Sequence, residues 1–168
     1  MSNLKIKVFP DPDLRLIAKK VKAVGAAEQK ELSDMADAMY LNSGVGLAAT
    51  QVGILKQLVV IDIGEGLMKL VNPALTKETG TEMGEEGCLS VPGECIGIKR
   101  AKRVAVDFLD ESGLPSRIKA DGLLARALQH EIDHLQGKLI IDYLNPVRKL
   151  LARARSGRKK KKVGYGTV

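Results

Sequence analysis

The stretch Gln129-His130-Glu131-Ile132-Asp133-His134-Leu135 constrains this chain more than any other, because it holds the only two histidines in 168 residues, four apart, with a glutamate directly after the first. On a helix turning about 100° per residue, side chains at i and i+4 point within roughly 40° of each other. His130 and His134 can then grip one metal ion, and Glu131 lies beside them to take a proton from a metal-bound water. Asp121 is placed to cap a helix from Gly122 to about Gln136, which Gly137 ends. Leu123, Leu124, Ala127, Leu128, Ile132 and Leu135 cover a broad apolar arc of that helix, and the polar stripe shrinks to Arg126, Gln129, Asp133 and Gln136. A central, largely buried helix with its histidines at the edge of the arc is expected.

A chain of this length with 45% hydrophobic residues can bury a real core as one domain. Its two cysteines, Cys88 and Cys95, are too few for a secreted disulfide framework and suit a reducing compartment. The N-terminal residues alternate charged and apolar side chains, and no apolar run approaches the roughly 18 residues of a membrane span, so a cytoplasmic protein without a membrane partner is expected. Aromatic residues make up 3% with no tryptophan, which argues against stacking platforms for single-stranded nucleic acid. The net charge of +7 is concentrated in residues 145–168, where Arg148, Lys149, Arg153, Arg155, Arg158 and Lys159 to Lys162 meet no acidic residue. The rest of the chain is slightly acidic.

Phe9-Pro10-Asp11-Pro12-Asp13 reads as an extended arm and turn before a short helical piece. Glu28 to Asn42 reads as an amphipathic helix whose Leu32, Met35, Ala36, Met39 and Tyr40 share one face. Ser43 to Gly53, with three glycines and two alanines, is a nearly bare backbone that can lie close to a ligand, with the amide of Gln51 standing out. A tight helix-to-strand connection is the bland alternative. Strands fill the middle: Gln57 to Ile63, Leu70 to Pro73, Leu75 to Gly84 as strand or hairpin, Ile96 to Ile98, Val104 to Leu109, and a strand near Arg117 to Lys119 after the turn Asp110-Glu111-Ser112-Gly113. A last amphipathic helix starts near Pro146. The expected organisation is one catalytic domain over residues 1–150 and a basic tail over 151–168.

Two histidines leave a metal under-coordinated, so the third protein ligand must be a thiolate or a carboxylate. Cys88, in a glycine-flanked turn, is the first choice, Glu85-Glu86 the carboxylate alternative, and Cys95 lies in what reads as a strand edge. An open fourth position would hold water, Glu131 would take its proton, and the hydroxide would attack a carbonyl. The developing oxyanion needs donors, for which the Gln51 side chain and the Leu89 backbone N–H are candidates. Amide hydrolysis is the implied reaction. A zinc endopeptidase shares H-E-x-x-H but generally takes its third ligand from a glutamate or histidine downstream of the helix, and neither residue occurs after His134. An RNA-associated module with a structural metal is the rival of another class.

Gly44-Val45-Gly46-Leu47-Ala48-Ala49-Thr50-Gln51, Glu86-Gly87-Cys88-Leu89-Ser90 and Gln129-His130-Glu131-Ile132-Asp133-His134, in this order and at these separations, resemble the three motifs of the peptide deformylases. The resemblance implies an α+β fold of mostly antiparallel strands around the metal-binding helix. It also implies removal of the N-formyl group from the N-terminal methionine of newly synthesised proteins. Cys88, His130 and His134 would hold Fe2+, with Zn2+, Ni2+ or Co2+ able to replace it, Glu131 would be general base and acid, and Gln51 and the Leu89 amide would serve the oxyanion. The peptide would lie extended along Val45, Gly46 and Gly87, read through its backbone. Val45, Leu123 and Ala127 would form the methionine slot. Arg126 departs from the aliphatic residue of some relatives, and either stands at the mouth of that slot or snorkels at the surface. Cys95 stands near the place of an arginine that holds the peptide in some relatives. The C-terminal helix resembles that of deformylases that dock on the ribosome, and its basic tail suits RNA contact as well as simple solvation. A monomer is expected.

Overall fold

A computed structural model describes residues 4–156. The first proline pair leads into a short 3-10 helix, Pro12–Arg15, at whose start the Asp11 carboxylate accepts from the Asp13 amide at 3.0 Å. Helix α1, Ala26–Leu41, begins two residues before its expected start because Glu28 reaches back to accept from the Gly25 amide at 3.0 Å. Leu32, Met35, Ala36 and Met39 are buried as their spacing predicts. Tyr40 is not: half exposed, it donates its hydroxyl to Asp62 at 2.6 Å.

Strands β1 (Gly46–Ala48), β2 (Leu58–Ile61), β3 (Met68–Thr79), β6 (Arg103–Leu109) and β7 (Pro115–Asp121) form an antiparallel sheet in the order β1-β2-β3-β6-β7. Strands β4 (Glu82–Glu86) and β5 (Ile96–Arg100) pair separately. The two pieces expected around Pro73 are one strand, since the register shifts between Val71 and Ala74 and Asn72 takes a φ of 53°. A bulge tolerates proline because its missing N–H is not needed in the ladder. The Asn72 amide is fixed by exchanging two hydrogen bonds with the Val21 backbone, each 2.8 Å. Gly80, at φ +66°, then turns the chain away, so β4 joins β5 instead of doubling back on β3.

Helix α2, Gly122–Leu135, lies across the large sheet, and Ala125, Ala127, Leu128 and Leu135 join Val59, Ile61, Leu70 and Val106 in the main core. Asp121 occupies the N-cap position, but its side chain makes no capping hydrogen bond. Gly137 ends the helix at φ +71°, where a Cβ would come within 2.4 Å of the Arg15 carbonyl oxygen. The expected polar stripe is divided, for Arg126 and Gln129 are buried while Gln136 is exposed. Gln129 exchanges hydrogen bonds with the backbone of Ala101, 2.9 and 3.0 Å, and so clamps the chain where it crosses from β5 to β6 onto the helix. The fold is α+β, antiparallel strands packed around one central helix, as expected. No helix among the described residues is long and apolar enough to cross a membrane.

A 3-10 helix, Ile140–Tyr143, connects α2 to helix α3, Pro146–Ser156, whose first turn is held by Asn145 accepting from the Arg148 amide at 2.9 Å. Asp142 joins this end of the chain to its beginning, accepting from Arg15, from Lys149 at 2.7 Å and from the Leu139 amide at 2.9 Å. Burial opposes its charge, but Arg15 and Lys149 prevail and hold its carboxyl at about 2. A folded-state value below the unfolded one means the stabilisation is fully present above about pH 4 and is lost as the pH falls through about 2. After allowance for solvent screening, Asp142→Asn is expected to cost about 1–2 kcal/mol at pH 7. Urea midpoints should show that gap closing between pH 4 and pH 2. The basic residues Arg158 and Lys159 to Lys162 lie outside the described residues.

Candidate active site

Three elements converge on one buried point. Helix α2 presents His130, Glu131 and His134, the turn after β4 presents Cys88, and the short 3-10 helix Ala49–Val52 presents Gln51; all five are buried. The helix is fixed lengthwise by Thr50, which donates its hydroxyl to the His134 carbonyl at 3.1 Å. The Cys88 turn closes through the Val91 amide donating to the Cys88 carbonyl at 2.9 Å.

Cys88 Sγ lies 3.2 Å from His134 Nε2, which lies 3.2 Å from His130 Nε2, and the three ligand atoms fall within 4.8 Å of one another. Neither Glu85 nor Cys95 belongs to this cluster. They meet each other at 3.7 Å, with Cys95 exposed, so the carboxylate alternative for the third ligand is not realised by Glu85. Glu86 is fully enclosed and is engaged elsewhere, its Oε2 accepting from His130 Nδ1 at 2.9 Å. Burial works against its charge, but Arg100 and His130 outweigh burial and hold the carboxyl at about 2. His130 therefore carries its Nδ1 proton toward a carboxylate and turns Nε2 to the cluster.

His134 is lowered well below the ordinary imidazole value, first by burial and then by the neighbouring His130, and so stays neutral. Its Nδ1 is buried without a hydrogen-bond partner. Burial opposes a charge on His130, but Cys88 and Glu86 outweigh it and raise His130 well above the ordinary imidazole value, so its Nε2 proton is the one a cation would displace. With that proton gone and the His134 proton on Nδ1, two Nε2 lone pairs and the Cys88 sulfur converge on one point, an arrangement that a cation satisfies. Nitrogens bonded at about 2.0–2.1 Å to a tetrahedral ion stand roughly 3.3 Å apart, close to the spacing here. Sulfur plus two imidazoles suits a divalent transition ion. The cluster fits a metal.

Glu131 is pressed against β1. A Cβ on Gly46 would lie 2.4 Å from its Oε1, so the bareness of Gly46 makes room for this carboxylate as well as for any second chain. Oε2 is buried and unpartnered. Burial pushes Glu131 up to about 7, with the charge of His130 opposing and that of Glu86 adding. Gln51 is oriented by the Ala48 amide, which donates to its Oε1 at 2.8 Å. Its Nε2 lies 3.2 Å from Ser90 Oγ and 3.7 Å from Cys88 Sγ, so it supports the cysteine while facing the cluster. The Leu89 side chain covers Gly44, where a Cβ would meet it at 2.8 Å.

Of the expected slot residues, Val45 and Gly87 are half-buried, Ala127 is enclosed in the main core, and Leu123 is 43% exposed on the first turn of α2. Arg126 is at neither expected place. Its guanidinium is buried, donating to Glu86 at 2.9 Å and to the Ile98 carbonyl at 3.1 Å, beneath Gly84 where a Cβ would fall 2.7 Å from Cζ. A buried carboxylate draws it inward, and the missing side chain at position 84 admits it. Asp133, also on the expected polar stripe, accepts from Arg100 at 2.6 Å. Arg100 is the residue that sequence reasoning missed, although its signal is legible: it sits on the inward phase of Ile96, Ile98 and Arg100, where an unpaired charge is not tolerated.

A Cys-His-His cluster on an H-E-x-x-H helix, beside an unpartnered buried carboxylate, defines an amide-hydrolase type of site. Residues 3–150 match the model of the polypeptide deformylase family. The chain belongs to that family and is an enzyme of it. It is 53% identical over 137 residues to the peptide deformylase of Caldanaerobacter subterraneus subsp. tengcongensis, covering 82% of this chain and 86% of the relative. With that of Thermodesulfovibrio yellowstonii it shares 44% over 165 residues, 95% of this chain and all of the relative. The peptide deformylase crystal structure from Ehrlichia chaffeensis in complex with actinonin superposes with a TM-score of 0.93 at 38% identity, covering 96% of this chain and 100% of that one. The one from Legionella pneumophila gives 0.88 at 44% identity, covering 92% and 94%.

Proposed function

We propose that the chain removes the N-formyl group from the N-terminal methionine of newly synthesised proteins as one catalytic unit over residues 1–150, with Cys88, His130 and His134 holding one divalent ion, Fe2+ in the cell. The observation that carries this reading is the Glu131 carboxylate, buried with Oε2 unpartnered beside the Cys-His-His cluster and seated on Gly46. A divalent ion held there supplies Lewis acidity for water and carbonyl alike. Glu131 takes a proton from the attacking water and hands it to the departing amine nitrogen. The Gln51 side-chain amide, exchanging its long 3.7 Å contact with Cys88 Sγ, and the Leu89 amide orient the carbonyl oxygen and donate to it as charge develops. Val45, Gly46 and Gly87 offer backbone to the extended peptide, and Leu123 stands at the rim of the methionine slot. Arg126 acts from beneath, through Glu86, and not on the substrate.

The free thiols suit a reducing cytoplasm, and the enzyme works as a monomer, with the C-terminal helix and basic tail facing the ribosome. Anaerobically purified protein loaded with Fe2+, Zn2+, Ni2+ or Co2+ should release formate from a formyl-methionyl tripeptide and leave a free amine. No formate with any of these ions overturns the reading.

A further inference from the structure

Glu86 is only the middle of a longer chain of contacts. It is gripped by Arg100 through two hydrogen bonds, 2.8 and 2.9 Å, and Arg100 Nη1 also donates to Asp133 at 2.6 Å and to the Tyr143 hydroxyl at 2.8 Å. Tyr143 donates in turn to Asp133 at 2.5 Å, and its ring lies under the Arg100 guanidinium at 4.8 Å from Cζ. Lys138 closes the outer end, 3.0 Å from the Tyr143 hydroxyl. Arg100, Asp133, Lys138 and Tyr143 also line a cavity of about 420 Å³. Arg100 enters the catalytic reading only through its grip on Glu86, and Asp133, Lys138 and Tyr143 have no part in it.

We infer that Tyr143 is a positioning residue for His130, acting through Arg100 and Glu86, and so links the connection between α2 and α3 to the metal ligand. A guanidinium held on Glu86 alone could pivot about that carboxylate. Tyr143 and Asp133 fix its far side, by ring stacking and by two hydrogen bonds, and so, together with Arg126 on Oε1, fix the angle at which Glu86 presents Oε2 to Nδ1. Partners of a ligating histidine set its ring orientation and basicity, and losing a direct one costs roughly 10–100-fold in metal affinity or activity. Tyr143 stands two contacts further out, so a smaller cost, roughly 3–10-fold, is expected.

This inference rests on Cys88, His130 and His134 being the metal ligands, and the test separates the two. Because the chain has only two histidines, each imidazole N–H of the zinc-loaded protein can be assigned by 15N-edited NMR. In Tyr143→Phe the His130 Nδ1 proton resonance should move while that of His134 stays, zinc affinity measured by chelator competition should fall roughly 3–10-fold, and kcat for formate release should fall with KM unchanged. Asp133→Asn should move the same resonance and serves if Tyr143→Phe folds poorly. An unmoved His130 resonance with wild-type zinc affinity overturns the positioning role, as does an equal shift at both histidines. Full zinc binding by Cys88→Ala would instead overturn the ligand assignment.

Discussion

Glu131→Gln is expected to keep the fold and the bound metal while formate release falls roughly 10²–10⁴-fold, the usual contribution of a positioned acid-base group. Glutamine has the same shape, so it can occupy the niche against Gly46, and Glu131 is not one of the ligand atoms, so the metal should remain. What is lost is the ability to take and return a proton. Metal content by atomic absorption, beside steady-state rates with a formyl-methionyl tripeptide, checks both halves. A variant with full metal and the wild-type rate would remove Glu131 from the mechanism.

Glu86→Ala should be the most disruptive single change outside the ligands, costing about 3–5 kcal/mol of stability, because breaking a buried ion pair strands the charges left behind. Arg126 would keep only the longer ion pair with Glu82 at 4.0 Å, Arg100 would retain only Asp133 and Tyr143, and His130 would lose its Nδ1 acceptor. Metal affinity should fall as well, by roughly 10–100-fold. Glu85→Ala is the built-in control, since its side chain is exposed one residue away and should change stability by no more than about 0.5 kcal/mol. Urea unfolding of both variants, with chelator titration of Glu86→Ala, reads these effects. Equal stability of the two would sink the account of the buried network.

The histidine pair and the order of elements are legible in the sequence because they follow from local rules, whereas Cys88 reaches the pair across 46 residues. Two histidines at i and i+4 need only a helix to meet, and alternating apolar residues need only a sheet face. The role of Glu86 is not legible, since a Glu-Glu pair offers two carboxylates and only the strand phase decides which turns inward. Arg126 escapes for a related reason. A helical wheel places it on a polar stripe, but Arg126 faces Glu86 and the bare Gly84 instead of water. The same holds for Asp133, whose partner Arg100 lies 33 residues away and so is invisible to a helical wheel. Glycine has a second meaning that spacing alone does not supply. Gly46 and Gly84 are both small because a charged side chain from α2 lies against them.

Cys88 and His134 are 46 residues apart, with the thiol preceding both imidazoles along the chain. During synthesis, which runs from the N-terminus, the β4–β5 pair and its thiol are made before either imidazole exists. Until α2 is finished and docked, Cys88 is a solitary thiol and Glu86 a carboxylate without Arg126 or His130. On the proposed assignment, catalytic competence waits for a single late step, the docking of one helix that carries two of the ligands, the base and a buried counter-ion together.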